Sequence, residues 1–506
     1  MGSAQAQRSF NEGGGVVTIK QLSQLHRTLR CGVSGRLACV ALVLLTLSCG
    51  RDLPLEPPGS NVALYYPTSL ALSPDGRTGY IVNTNFNQRF SAGWITSFDV
   101  GTLFSSAMPR QALHRQALTP SLGGKLSLSA DGLHGFVAHR GSGVLTVLDM
   151  QPGAAERVTC SAAGNRPTDL PPMLRRTDCD RAHLVDLIDG MQQVAKAQHY
   201  SLNFRDLQDP APVAYLAGNA TQAPGLVVGF LGSGWLASLS TPASGKVAVL
   251  NNYALPNTSL HTLAVQAGAQ SVGHPTALYA TSRRTRASDR PSAVLAFDLA
   301  ALSPGPAGLD AQPGATTADL AADAGGLDSR GLVQSPDGVH LVAIDRFPDA
   351  LVVLRRSALP ISVDSGPQPL GSTAPLTPAE VPAVASVDQL RVVSTAAIYE
   401  GRLTDVLYLP RQNGDLIVAS SVDSDTLYFF SLRGDAIALV GRLKLERAQG
   451  PYALAQVTVN NRSTLLATTF YDHGLVAIDV SAADPKNFTQ LFEVHEDDLQ
   501  SAQRAQ

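Results

Sequence analysis

The chain has 506 residues, 44% of them hydrophobic and only 16% charged, with a formal net charge of −3. There is no basic excess to neutralise phosphates, which excludes a nucleic-acid-binding protein. The 44 glycines and 32 prolines favour many turns over long helices, and the length suits two to four domains or one repeat array.

The first element is an apolar stretch. Leu37 to Ser48 carries no charge and follows Arg27, Arg30 and Arg36. It is too short to span a bilayer, which takes about 20 apolar residues, and has the size of a signal-peptide core. Residues 1–48 are therefore set apart from the fold, the polar stretch before Arg30 reading as an extension from a start codon placed too far upstream. Thr46-Leu47-Ser48-Cys49 resembles a bacterial lipoprotein lipobox. The resemblance implies cleavage before Cys49 and a diacylglycerol on its thiol; the competing reading is an ordinary secretory signal. Gly50 after the cysteine resembles lipoproteins sent to the outer membrane, so the expected address is the bacterial envelope, lipid-anchored. Removing residues 1–48 takes away five basic residues and one acidic, leaving a net charge of −7. Residues 49–60, rich in proline, read as a stiff tether. Cys160 and Cys179 remain as an even pair in an oxidising compartment, and a disulfide between them is expected.

From Pro67 onward one pattern recurs: an apolar strand, a tight Asp-Gly turn, a second strand, a polar loop, a third strand. Ser73-Pro74-Asp75-Gly76 turns between Ser69–Leu72 and Gly79–Asn83, and Trp94–Val100 follows. Ser129-Ala130-Asp131-Gly132 and Ser335-Pro336-Asp337-Gly338 head similar units. Pro presets the turn's φ, Gly accepts the positive φ that follows, and alternating branched and aromatic residues fit a pleated face. Third strands are expected to end near Asp99, Asp149, Asn251, Asp298, Arg355, Ser431 and Asp479. Between the second and third lies an insertion, 153–210, without strand alternation, holding both cysteines and a helix-like stretch from Leu184 to Ala197. Ala301 to Gly326 and Ser365 to Pro382 read as long loops.

Repeats of this length with three or four strands select a propeller. Leu72-Ser73-Pro74-Asp75-Gly76 followed by Tyr80-Ile81-Val82-Asn83-Thr84-Asn85 resembles the YVTN-type seven-bladed β-propeller repeat, with similar copies near Ser335–Gly338 and Thr468–Val480. The resemblance covers roughly residues 63–482 and implies an all-β, seven-bladed propeller with one partly helical insertion. Six or eight blades stay open, because residues 211–300 match worst. The propeller body is taken as 61–494, with a polar tail from 495 to 506. Either 61–65 or Thr489–Val494 should complete the terminal blade.

No catalytic motif of related enzymes carries over. Gly232-Ser233-Gly234-Trp235-Leu236-Ala237 fits a dinucleotide fingerprint in outline, but no helix follows, so a hairpin turn is the better reading. His134 and His139 flank one strand, on opposite faces and roughly 17 Å apart, too far to share a metal. No metal or cofactor is expected. Loops between second and third strands should gather at one channel mouth and carry Asn83, Asn85, His139, Arg140, Asp345, Arg346, Asp423, Asp425, Tyr471, Asp472 and His473. Binding residues favour loops on rigid scaffolds, although polar turns carry such residues anyway. The function expected is a binding or assembly module, with the membrane as one partner through the lipid and an envelope protein or small ligand as another. The alternative is a lactonase-like hydrolase acting at the mouth, which would need convergent acids and His within hydrogen-bond reach.

Overall fold

Tyr80, Ile81 and Val82 are consecutive, and all three are fully buried. Neighbours in a strand point to opposite faces, so such a run needs cover on both sides. In the computed structural model that cover comes from neighbouring blades. The structure describes residues 54–60, 62–151, 157–161, 174, 176–199, 202, 207, 209–218, 223–232, 234–242, 246–254, 260–265, 277–282, 292–298, 315–319, 328–358, 388–411 and 415–496. Residues 1–48, read above as a signal, Cys49, and Ser365 to Pro382, read above as a loop, lie outside them.

Seven antiparallel sheets follow one another along the chain. The first blade is β1 (Pro67–Leu72), β2 (Thr78–Asn83), β3 (Gly93–Asp99) and β4 (His114–Thr119). The second is β5 (Ser127–Leu128), β6 (His134–His139), β7 (Val144–Gln151), β8 (Arg157–Thr159) and β9 (Leu184–Asp186). The third is β10 (Pro210–Leu216), β11 (Gly225–Phe230), β12 (Trp235–Leu239) and β13 (Val249–Ala254). The fourth is β14 (Leu260–Val265), β15 (Ala277–Ser282), β16 (Ala293–Asp298) and β17 (Ala315–Asp319). The fifth is β18 (Leu332–Gln334), β19 (His340–Asp345), β20 (Ala350–Ala358) and β21 (Asp388–Ala397). The sixth is β22 (Leu403–Leu409), β23 (Leu416–Ser421), β24 (Thr426–Arg433) and β25 (Ala436–Lys444). The seventh is β26 (Pro451–Val459), β27 (Arg462–Thr469), β28 (Gly474–Asp479) and β29 (Thr489–Val494). Among the described residues α-helices are few: α1 (Val100–Ser105) and α2 (Leu187–Ala197). Among the described residues no helix is long and apolar enough to cross a membrane.

Seven apolar clusters sit between successive blades. Ile81 and Phe98 of the first blade meet Leu466 and Leu475 of the seventh, while Tyr80 and Val82 meet Val137 and Leu148 of the second. The remaining five clusters join the second to third, third to fourth, fourth to fifth, fifth to sixth and sixth to seventh blades. The cluster joining the seventh blade to the first closes the ring into a seven-bladed propeller, as the alternation of residues along β2 requires.

The turn chemistry is repeated in detail. Ser73 Oγ donates to Asp75 Oδ1 at 2.6 Å and accepts from Thr78 N–H at 3.0 Å, with Gly76 at φ +70°. Ser129 with Asp131 and Ser335 with Asp337 do the same. These hydrogen bonds hold the Asp75 and Asp131 carboxyls below the usual range.

Four expectations change. The third strand expected at Asn251 is β12, and Asn251 lies on the outer strand β13. β11 and β12 pair as a hairpin that ends at Leu239, and β13, with Asn251, adds outside it. The Ala-Gly-rich stretch Ala301 to Gly326 contains the outer strand β17. The insertion is no appendage: β8 pairs with the end of β7 and β9 with its start, so it builds the outer edge of the second blade. Of the helix-like stretch from Leu184 to Ala197, Leu184–Asp186 is the strand β9 and Leu187–Ala197 the helix α2. The tether joins the body from Leu55, whose N–H donates to Arg89 O at 2.9 Å and whose carbonyl accepts from Ser91 N–H at 2.8 Å.

Cys160 and Cys179 are bonded, with both side chains buried between the first two blades. The closed loop returns beside β4, where Leu118 N–H donates to Asp178 Oδ2 at 2.9 Å and Asp178 N–H to Leu118 O at 2.9 Å. By loop entropy such a bridge contributes about 3 kcal/mol. The double variant Cys160→Ser/Cys179→Ser should lose that much in denaturant unfolding, and an unchanged midpoint would show that the loop is held by other contacts.

Candidate functional site

The inner strand of every blade begins at the same end of the channel, beside the loop that leaves the second strand. In five blades this start carries a register shift, at Pro67/Ser69, Pro210/Val213, Leu260/Thr262, Leu403/Val406 and Pro451/Leu454. A bulge bends a strand and re-aims its side chains. A cavity of about 420 Å³ lies here, lined in every blade by residues on or just before the inner strand, a size within the roughly 300–1,000 Å³ of small-ligand sites. Gly124 permits the close approach of second and third blades, since a Cβ there would stand 2.4 Å from Ala211 O.

The lining is uneven in charge. Among the described residues Lys125, Arg140, Arg330, Arg346 and Arg402 face the cavity, against Asp405 as the one acid. The acids that hold these cations mostly sit behind them. Arg330 donates from Nε and Nη2 to Asp328 Oδ2 at 2.9 and 2.7 Å. Arg346 lies 3.7 Å from the same carboxylate, Arg402 3.4 Å from Asp423 and Arg140 3.7 Å from Asp209. Lys125, from the second blade, reaches Asp405 of the sixth at 3.5 Å, an ion pair that crosses the channel. Burial pulls the Arg346 guanidinium down to about 10, still charged at neutral pH.

An aromatic wall stands on the first and seventh blades. Phe86 packs edge-on to Phe470 at 5.4 Å, Phe470 meets Tyr471 at 5.5 Å and stacks with Tyr452 at 5.3 Å. Phe86 and Tyr471 remain 54% and 49% exposed, so their ring faces are open to a ligand.

The eleven residues nominated from sequence divide. Arg140, Arg346 and Tyr471 line the cavity. The others brace loops. Asn83 Oδ1 accepts from Tyr65 N–H at 2.8 Å, and Asn85 Nδ2 donates to Phe90 O at 2.6 Å. His139 is fully buried against Thr146 Oγ1 at 2.9 Å, and burial lowers it to about 4. Asp345 accepts from Ser292 Oγ at 2.9 Å, and its desolvated carboxyl rises to about 6. Asp425 accepts from Gly450 N–H at 2.8 Å and Asp472 from Gln449 N–H at 3.0 Å. His473 Nδ1 accepts from Tyr66 N–H at 3.1 Å; burial lowers it also to about 4. Asp423 pairs with Arg402 and accepts from Tyr471 Oη at 3.3 Å. Sequence reasoning looked at the second-to-third-strand loops and so missed Lys125, Arg330 and Arg402, which stand on or beside the inner-strand starts. A cation placed just after each blade connection was the available signal. Among the described residues no group of His, Cys, Asp and Glu could hold a metal ion.

No protein-family model and no curated protein matches the sequence. Solved structures similar to the chain are propellers or proteins of varied description. A protein from Bacteroides fragilis, provisionally assigned as a 6-phosphogluconolactonase, is 14% identical, covering 80% of this chain and 90% of its own, with a TM-score of 0.45. The Cps50 (Swd1) β-propeller domain from Myceliophteria thermophila is 12% identical over 82% of this chain and 98% of its own, at a TM-score of 0.46. Sqt1 from Chaetomium thermophilum is 10% identical over 85% and 88%, at 0.46. The seven-bladed assignment rests on the strand pairing and the seven inter-blade clusters.

Proposed function

We propose that the protein is a binding module of the bacterial envelope, held to the membrane by a lipid on Cys49, and that its working surface is the channel mouth. The observation that carries this reading is the composition of the mouth. Cations and open aromatic faces converge there, while His139 and His473 are locked into the scaffold in their neutral forms. A hydrolase needs an acid and a base near each other on the open side. The mouth offers His261 and Asp405 from the fourth and sixth blades, which are not neighbours, and Asp405 is already engaged by Lys125 at 3.5 Å and by the Leu454 N–H at 3.0 Å. Binding needs only a rigid ring and the surface just described.

Two measurements test this. The purified chain is assayed for hydrolysis of simple lactones and aryl esters; turnover abolished by Asp405→Asn or His261→Gln would replace the module reading with a hydrolase. The anchor is tested separately by detergent-phase partitioning. Wild type should enter the detergent phase and Cys49→Ser should stay in the aqueous phase, since the thiol is the acyl acceptor. Equal partitioning of the two into the aqueous phase would remove the lipid from the proposal and leave the mouth untouched.

A further inference from the structure

Two polar groups at the channel mouth are shielded from water with nothing in exchange. Thr84 Oγ1 and Arg140 Nε are buried, and neither has a hydrogen-bond partner among the described residues. A buried unsatisfied donor costs about 1–3 kcal/mol, so a native fold that keeps one calls for an explanation, and a ligand is one. Both residues line the cavity. Their backbones are tied through one residue: Leu122 N–H donates to Thr84 O at 2.7 Å, and Arg140 N–H donates to Leu122 O at 3.2 Å.

The linking residue is itself unusual. Leu122 has a φ of +59° and Asn85, next to Thr84, a φ of +51°. A bulky side chain rarely adopts that region, and strain of this kind gathers at functional sites. Three residues on, Lys125 adds a cation, with its side chain 53% exposed. Next to Asn85 on the other side, Phe86 opens the aromatic wall. One corner of the mouth, between the first and second blades, thus combines two unused donors, a cation and an open ring face.

We propose that this corner is a subsite for a small aryl acid, the carboxylate on Thr84, Lys125 and Arg140 and the ring against Phe86, Phe470 and Tyr471. The inference rests on the binding-module reading above. A single negative charge suits the corner better than a dianion, because Asp209 and Asp405 already stand beside Arg140 and Lys125. A carboxylate presents two oxygens in one plane to the two unused donors, and charge-assisted bonds of this kind are the strong ones. The ring adds burial of flat apolar surface on aromatic faces now open to water.

The probe is phenylacetate, titrated calorimetrically into the purified full chain. Acetate lacks the ring, 2-phenylethanol lacks the charge, and inorganic phosphate supplies charge without either. Phenylacetate should bind at least about tenfold more tightly than each of the three, and Arg140→Gln and Phe86→Ala should each weaken it about tenfold. Arg140→Lys keeps the charge and loses the Nε donor, so it should recover only part of the affinity. Thermal melts accompany every variant, and Thr84→Val and Tyr471→Ala stand in for any that unfolds. No binding of phenylacetate, equal binding of any control, or full affinity in either variant overturns the subsite. These results leave the module reading intact, whereas lactone or ester turnover removes that reading without depending on phenylacetate.

Discussion

Replacing Glu496 with Ala should cost the whole ring about 3–5 kcal/mol, the usual penalty for removing one member of a buried charge network. A propeller is a circular array, so its weakest joint is where the last blade meets the first. Here each terminal blade is built from its own strands, and no strand is exchanged between them. The joint is instead closed by a side chain. Glu496 is 2% exposed; its Oε1 accepts from the N–H groups of Ala63, at 2.8 Å, and Leu64, at 3.3 Å. Its other oxygen meets Arg110 at 2.5 Å. The segment so held carries on into the first blade, where Ala63 O accepts from Trp94 Nε1 at 2.9 Å. Burial still holds the Glu496 carboxyl above its ordinary range despite these donors. Loss of the carboxylate strands two buried backbone donors and removes a charge-assisted bond from Arg110. Arg110→Ala should cost less, since its side chain is 40% exposed. Deleting 497–506 keeps the clasp and should leave the unfolding midpoint in place. Denaturant unfolding of the three variants is the measurement; a Glu496→Ala chain that unfolds with the wild-type midpoint would show that apolar contact alone closes the ring.

That joint also marks how far the sequence could be read. Repeating Ser-x-Asp-Gly turns and strand alternation announced blades, because turn chemistry and pleat are local. They left two candidates for the strand that completes the terminal blade, 61–65 and Thr489–Val494, and it is Thr489–Val494 that pairs with β28. The clasp could not be seen: Glu496 and Ala63 are 433 positions apart, and a single Glu in a polar tail carries no periodic signal. The outer strands of the second and fourth blades were missed for a related reason. β8 and β9 have three residues each and β17 five, too few to show an alternation that can be counted. The third blade was misregistered because its second strand, Gly225–Phe230, is apolar throughout, which hides the boundary between one strand and the next.

The site was legible in outline only. Loops after second strands do gather at one mouth, as blade geometry demands. Which of their side chains face the channel depends on the bulges at the inner-strand starts and on left-handed residues such as Asn85, Asp425 and His473, with φ of +51°, +53° and +56°. A polar residue in such a turn satisfies its own loop first. Asn83, Asn85 and His139 therefore became braces, and the cavity was left to residues such as Lys125 and Thr84 that sequence reasoning treats as ordinary strand ends.

His139→Gln and Asp345→Asn should change the pH dependence of stability in opposite directions. His139 is desolvated and held near 4, well below the ordinary 6.5 of histidine. Its contribution is full above the unfolded pKa and is lost as pH falls from about 6.5 towards 4, because the unfolded chain takes up the proton first. The shift corresponds to about 3 kcal/mol. The stability of His139→Gln relative to wild type should therefore improve by about that amount between pH 7.5 and pH 4. Asp345 is the reverse case: desolvation raises it to about 6 from an ordinary 3.8. Its contribution is full below the unfolded pKa and is lost as pH rises through the folded one, again by about 3 kcal/mol. Asp345→Asn should thus gain on wild type as pH climbs from about 4 to 7, less whatever the bonds from Ser292 and the Arg346 N–H provided. In the wild type the two effects oppose each other, and a flat profile can hide both. Denaturant unfolding of the three proteins at a series of pH values separates them. Parallel profiles for His139→Gln and wild type would mean that the imidazole is hydrated in the folded state, and the tight packing of the second blade around it would have to be redrawn.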